Sequence, residues 1–550
     1  MNWHFNMVYN LATMGIGTRI KTVKKPNGKE YSYIQLIETE RTPRGPRQRV
    51  LATLGRVDLD GPRNVDRLMR NLSRYAERAR MIDVLKDMNP IWAKRYGDVL
   101  VADKLWSDLG LKAILRRIGS SGDNEFSFER AVFSMVYDRL ADPGSKLSLS
   151  EKLREEYYIP ETDGLELQHL YRALDILHKN KERIEEKLFS GHTDLFSHQL
   201  ELVFFDTTST YFEGSGKGSE LKRFGHSRDK RPDRKQLVIG VLMTGEGIPI
   251  ACRAFPGNTA DARTIKPILD DMRKRFNIKR VVFVCDRGMV SEANLRLMAS
   301  AGYGYIVGAK MSTHEAKEAI AKATDYEVIK RKDKPELWVK EAVVNGRRYI
   351  VCYNPEEAEK DKARREEMIA RLEKLLLDDP KSLIRNKGFR QFVKLGERPR
   401  IDYDKLREAE RYDGKYVIQV SDPDMGTEEA TLAYRELWKI ERAFRTLKSS
   451  LEVRPVYHWT DRRIEAHVFA CFLALVIARE LELRLNKESE PEDKRLTAER
   501  AIEVLGRVRA VAYRAGSTRI LARTELSPDA LAILQRIGIK EPPVFIQVLD

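Results

Sequence analysis

The sequence predicts a mixed α/β fold, and three features predict it. Two short apolar runs, residues 202–205 and 281–285, each lead straight into an aspartate, Asp206 and Asp286. Between and after them, strand-like and helix-like periodicities alternate. A long amphipathic segment, residues 434–448, then carries Glu441 in the middle of one face. In order, residues 202–205, 237–244 and 249–255 read as strands, with Gly245-Glu246-Gly247 as the tight link between the last two. Residues 264–276 alternate at helical period, 281–285 form a strand, 292–301 a helix and 305–307 a strand. Three consecutive strands followed by helix, strand, helix, strand fit a ribonuclease H-like core. There, acids at the ends of the first and fourth strands lie side by side.

Six segments follow from composition and periodicity. Residues 1–60 form a small basic β-rich unit, with a hairpin turn at Pro26-Asn27-Gly28, a basic loop at 41–49 and a third strand at 50–54. Residues 61–199 are helical, with helices at 102–118, 127–140, 147–156 and 165–189 and a break at Asp142-Pro143-Gly144; this is the expected DNA-binding region. The core occupies 200–310 and resumes at 421–487 with the catalytic helix. A long stretch that does not belong to a minimal core, 311–420, separates the two parts and holds strands at 337–343 and 348–353 and a charged helix at 356–377. A C-terminal helical region, 488–550, completes the chain.

Across 550 residues, 42% are hydrophobic, 33% are charged and the formal charge is +16. This describes a globular protein with a polyanionic partner, nucleic acid first, although Lys/Arg faces can also be merely solvated. Cys252, Cys285, Cys352 and Cys471 lie far apart without metal-ligand spacing, which argues for a reduced compartment and against structural zinc. No secretory leader is evident, and the longest apolar run, 468–478, reads as a buried helix because it is too short for a bilayer.

A carboxylate at the end of a buried strand is unfavourable unless it is paired or binds a cation. Two such ends plus a helical Glu can hold a pair of Mg²⁺ ions for in-line phosphoryl transfer, which makes Asp206, Asp286 and Glu441 the candidate catalytic and metal-binding residues. Tyr434, Trp438, Glu441, Arg445 and Lys448 recur at four, three, four and three, and so share a helix face. A carboxylate between aromatics and cations suits a metal ligand with phosphate-binding groups beyond it. The plainer reading is a surface stripe with a Glu–Arg pair. For Asp206, before Thr207-Thr208-Ser209-Thr210, and Asp286, before Arg287-Gly288-Met289, the plainer reading is a turn or cap.

Between the aspartates, the run 217–235 carries Lys217, Lys222, Arg223, Arg228, Lys230, Arg231, Arg234 and Lys235, and either holds a phosphate backbone or is a flexible solvated charge run. Asp261, after Gly257-Asn258-Thr259-Ala260, either caps a helix or approaches the metal site. His458, among Arg454, Tyr457 and Trp459, either stacks on a displaced base or holds a loop.

Phe205-Asp206-Thr207-Thr208, the run from Gly225 to Asp233, Phe255-Pro256-Gly257-Asn258-Thr259, Asp286-Arg287-Gly288-Met289 and the stretch from Tyr434 to Lys448 with Arg454 to His458 together resemble the DDE transposases of the IS4 superfamily, most closely the IS1634 family. The resemblance implies a ribonuclease H-like core interrupted before the catalytic helix by an insertion domain, 311–420, and Mg²⁺-dependent (or Mn²⁺-dependent) cutting and strand transfer at the terminal inverted repeats of an insertion sequence. It also implies double-stranded DNA as partner, a homodimer on DNA and a cytoplasmic, nucleoid-associated location. Its helix signature of Tyr, Arg, Glu and Lys matches Tyr434, Glu441 and Lys448, while Leu437 stands at the Arg position, leaving Arg435 or Arg445 to replace it. Tyr434, Trp438, Arg445, Lys448, Arg228, Lys230 and Arg231 are the expected DNA contacts. The rival readings are a domesticated, inactive DNA-binding protein and a structure-specific nuclease on the same core.

Overall fold

The computed structural model describes residues 15–26, 29–42, 45–72, 88–121, 125–193, 202–213, 218–278, 281–331, 334–378, 390–394, 400–487, 494–515 and 518–549. They fall into two compact units, one of Met1–Ile91, Ala512–Leu521 and Gln547–Asp550, the other of Trp92–Val511 and Ala522–Ile546.

The first unit is built on an antiparallel meander of β1 (Ile16–Lys24), β2 (Glu30–Thr42) and β3 (Gly45–Arg56), followed by α1 (Gly61–Leu72). Asn27 and Gly28 of the expected turn lie outside the described residues. The expected loop at 41–49 is largely strand instead. Arg49 stands opposite Glu38 across the ladder, and the two pair at 3.0 Å. Cross-strand charge complementarity therefore carries the pairing further than apolar residues alone suggest.

After β4 (Met88–Arg95) the second unit opens with α2 (Gly97–Asp108) and α3 (Leu111–Gly119). These replace the single helix expected at 102–118, because Gly110 adopts a left-handed φ of 73° that ends one helix and starts the next. The buried α4 (Phe128–Ala141) begins at Ser127, whose hydroxyl accepts from the Arg130 amide at 3.3 Å. Then come α5 (Lys146–Glu155) and α6 (Leu167–Thr193).

The main sheet uses β5 (Leu202–Tyr211), β6 (Gln236–Thr244) and β7 (Pro249–Pro256), then α7 (Ile265–Lys274), β8 (Val282–Cys285), α8 (Glu292–Ser300) and β9 (Gly304–Gly308). The chain continues through α9 (His314–Lys322), β10 (Glu327–Arg331), β11 (Lys334–Val344), β12 (Arg347–Tyr353) and α10 (Pro355–Asp378). The short pair β13 (Val393–Lys394) and β14 (Arg400–Ile401), α11 (Tyr403–Glu410) and β15 (Lys415–Val420) follow. Nine strands form one mixed sheet in the order β10-β11-β12-β15-β9-β8-β5-β6-β7. The segment expected as an insertion thus extends the sheet at the β9 edge, where β15 pairs antiparallel with β9.

Side chains alternate along β5. Val203 and Phe205 enter a core with Ile265, Ile268 and Leu295 of α7 and α8, and with Phe283 and Cys285 of β8. The opposite face is crossed by α13 (Trp438–Ser449), which follows α12 (Thr427–Arg435), and by α14 (Asp461–Leu485). The expected buried helix is α14, whose residues from Val468 to Ala478 are all buried. No helix among the described residues is long and apolar enough to cross a membrane.

One expectation fails locally. Asp206 does not end its strand: β5 runs on through Thr207-Thr208-Ser209-Thr210, and Asp206 pairs with Val241 of β6. Threonine fits a pleated surface, so the polar run continues the strand that the apolar residues start.

All four cysteines are reduced and buried, and burial pushes the Cys352 thiol up to about 12. Thiol reagents are therefore expected to label the native protein only as fast as it unfolds. Rapid native labelling of any of the four would contradict this packing.

Candidate active site

The two aspartates meet through strand register. β5 and β8 run parallel with Phe204 beside Val284, so two residues further on Asp206 and Asp286 occupy neighbouring positions. Alternation turns Asp206 away from the α7–α8 core, to the face crossed by α13. Burial first, then the negative charges of Asp286 and Asp261, push the Asp206 carboxyl up to about 7. The Thr207 amide, donating to it at 2.7 Å, and the Arg228 guanidinium oppose that rise. Asp286 is exposed and begins a 3₁₀ turn, Arg287–Met289, yet its side chain makes no cap hydrogen bond. Its role is not capping.

Asp261 does approach the acids. It accepts from the Thr207 hydroxyl at 2.8 Å and pairs with Arg228 at 2.8 Å. Gly288 packs so closely that a Cβ there would lie 3.3 Å from the Asp261 carboxylate. Arg228 thus links Asp261 to the Asp206 side of the site, and Asp286 stands beside Asp206 in register; carboxylate oxygens are the ligand type that hard divalent cations take. As the side chains stand, no three His, Cys, Asp or Glu among the described residues are close enough together to hold an ion.

The expected continuous helix is two helices. At Glu436 and Leu437 the bonding tightens, with the Leu437 amide donating to Tyr434 and the Lys439 amide to Glu436. Tyr434 points inward. Its hydroxyl lies over Gly308, its ring stacks on Tyr416 at 6.0 Å, and burial beside Asp286 raises its pKa. Trp438 lines a small cavity with Lys439, Arg442, Leu475 and Arg479, on the α14 side. Both aromatics are half-buried. Glu441 and Arg445 are exposed, and the Glu441 side chain has no hydrogen-bonded or ionic partner among the described residues. Lys448 reaches Asp229 at 2.8 Å. Glu441 sits seven residues from Tyr434 and seven from Lys448, between two side chains anchored to the strand-end loops.

The basic run is less free than its composition suggests. Lys217 lies outside the described residues. Lys222 is buried, donating to the His458 carbonyl at 2.9 Å. Arg231 pairs with Asp233 at 2.9 Å and Arg234 with Glu213 at 3.0 Å. Lys230 is exposed, with a left-handed φ of 57°. Asp229 holds both Lys448 and Arg454. Sequence reasoning passed over Asp229, although an acid between Arg228 and Lys230 in a cationic run was a visible signal.

His458 serves the loop. Its ring lies 5.3 Å from that of His467 and 6.3 Å from that of Tyr171. Burial, then Lys146, Arg463, Arg139 and Lys222, push it down to about 3, and burial lowers His467 as well. Unfolded histidine titrates near 6.5, so this stability is complete above that pH and is lost as pH falls toward 3. Between pH 6.5 and 4 the protein is expected to lose about 2–3 kcal/mol through His458. His458→Gln should flatten the pH dependence of the melting temperature over that range; an unchanged slope would refute the assignment.

Residues 197–477, half of the chain, match the transposase DDE domain. The chain belongs to the DDE transposases, enzymes that act on DNA. Residues 19–83 match the N-terminal domain of IS1634 family transposases, so this is a DDE transposase related to IS1634. No curated protein matches the chain.

Proposed function

We propose that this transposase cuts and joins DNA at the inverted-repeat ends of an insertion sequence, with Asp206, Asp286 and Glu441 holding two Mg²⁺ ions, or Mn²⁺ in their place. The observation that carries the reading is the parallel register that sets Asp206 beside Asp286, with Asp261 nearby; burial first, then those two negative charges, pushes Asp206 up to about 7. When bound, the ions would activate the attacking water or 3′-hydroxyl and stabilise the leaving oxygen. The acids supply the ligands, and Asp261 deepens the negative potential while positioning Thr207 and Arg228. Glu441 completes the set from the facing helix, a role supported by its place between Tyr434 and Lys448.

We read β7-β6-β5-β8-β9 as a ribonuclease H-like core and the chain as an IS4-superfamily member, supported by that strand order and by β8 and β9 running parallel to β5. Segments 1–60, 61–199, 200–310, 311–420, 421–487 and 488–550 would serve as contact unit, end-reading region, core, insertion, core and tail. Arg445, Lys448, Arg228, Lys230 and Arg231 are the proposed phosphate contacts. Trp459, 76% exposed, suits a frayed base better than the inward Trp438. A homodimer would hold the two ends.

The test is incubation of the purified protein with its element ends and a supercoiled target, with Mg²⁺ or with chelator. Metal-dependent end cleavage followed by joining is the expected result. Cleavage without joining would support a structure-specific nuclease, and binding without cleavage a domesticated DNA-binding protein.

A further inference from the structure

We infer that the adjacent residues Arg228 and Asp229 are a charge-reversed plug. The guanidinium takes the place of a cation beside the acids, and the carboxylate takes the place of a DNA phosphate between Lys448 and Arg454. This deepens the transposase reading above and rests on it.

The two contacts lie on one loop and are opposite in sign. Arg228 pairs with Asp261 at 2.8 Å and donates to the Thr207 hydroxyl at 3.2 Å. Its amide donates to Ser209 at 2.9 Å, which ties the loop to β5. One residue on, the Asp229 side chain is 3% exposed and engages Lys448 at 2.8 Å together with Arg454. Both cations converge on the same carboxylate oxygen, Oδ1. The other, Oδ2, is buried with no hydrogen-bond partner. A carboxylate built for stability at this depth uses both oxygens, and an arginine fork prefers two acceptors. The arrangement is therefore a poor structural salt bridge. A phosphate would offer the same two cations more oxygens.

The plug has a consequence for ligand binding. An ion that neutralises Asp206, Asp286 and Asp261 frees Arg228 from Asp261. A phosphate that takes Lys448 and Arg454 frees Asp229. Because the two residues are adjacent, releasing one weakens the hold of the other, so divalent cation and duplex bind cooperatively, and by linkage the effect is mutual. A simple anchor predicts the opposite: loss of Asp229 would disorder the cations and weaken DNA binding.

The experiment measures binding of a labelled duplex of arbitrary sequence by fluorescence anisotropy, with and without Ca²⁺, for wild type, Asp229→Asn and Asp229→Glu. Asp229→Asn should bind without ion about fivefold more tightly, with a salt dependence steeper by about one counterion per freed cation. The tightening that Ca²⁺ produces in wild type should shrink in this variant, while Asp229→Glu should behave as wild type. If Asp229→Asn does not fold, Asp229→Ser carries the same expectations. Independently, Arg228→Gln should bind Mn²⁺ several-fold more tightly in calorimetry without DNA. Equal or weaker duplex binding by a folded Asp229 variant, an undiminished Ca²⁺ effect, or unimproved Mn²⁺ binding by Arg228→Gln would each overturn the plug and leave the transposase reading intact. Failure of wild type and variants alike to bind duplex would overturn both.

Discussion

Asp286→Asn and Asp206→Asn are each expected to slow metal-dependent end cleavage by about a thousandfold or more, matching the several kcal/mol that a carboxylate–metal contact supplies to phosphoryl transfer. Glu441→Gln should do the same. Duplex affinity in the absence of divalent ion should hold or rise, because each change removes negative charge from a DNA-facing surface. The two aspartates part company in stability. Asp206 is half-buried, and desolvation first, then the like charges of Asp286 and Asp261, pushes it up to about 7, so its ionised form is disfavoured by the fold. Asp206→Asn should therefore raise the melting temperature of the ion-free protein at pH 8, as removal of a functional strain commonly does. Asp286 is exposed, and Asp286→Asn should leave the melting temperature nearly unchanged. Cleavage and melting measured on the same preparations check both halves. Near-normal cleavage by any one variant removes that residue from the proposed metal set.

Much of this was legible in the sequence because the signals were periodic. The apolar runs 202–205 and 281–285 announce two strands that each lead into an aspartate, and their parallel pairing then sets Asp206 beside Asp286. What escaped is what periodicity does not encode. The continuation of β5 past Asp206 depends on pairing with β6, a long-range contact that the Thr-rich run only permits. The break at Glu436 and Leu437 depends on tertiary anchoring of Tyr434, since nothing in the local helical pattern interrupts it. Trp438 shares the nominal face of Glu441 but lies at its border, so packing against α14 decides its direction. Charge runs hide their partners most completely. Lys222, Arg228, Arg231 and Arg234 look like a comb for phosphate until Asp261, Asp233, Glu213 and the His458 carbonyl are seen to occupy them.

Gly308→Ala should cripple the enzyme from outside its chemistry, and removal of one oxygen elsewhere should restore it. A Cβ on Gly308 would overlap the Tyr434 hydroxyl and lie 3.2 Å from Cζ of that ring and 3.3 Å from the Arg287 amide nitrogen. The ring cannot retreat freely because it stacks on Tyr416, so the overlap is relieved by moving the junction of α12 and α13. Glu441 lies seven residues beyond, and a displacement of about 1 Å there is enough to cost on the order of a hundredfold in rate. Overpacking of this kind also costs about 1–3 kcal/mol of stability. Tyr434→Phe deletes the offending oxygen and leaves only the tolerable carbon contact, so the double variant Gly308→Ala, Tyr434→Phe should recover most of the lost cleavage and melting temperature. The single variant Tyr434→Phe separates two accounts of this tyrosine. If Tyr434 acts as a spacer between β9 and the Glu441 helix, duplex affinity is unchanged by losing the hydroxyl. If its hydroxyl contacts DNA, as the resemblance implies, affinity falls in the single variant and stays low in the double one. Its inward orientation, over Gly308 and beside Asp286, favours the spacer.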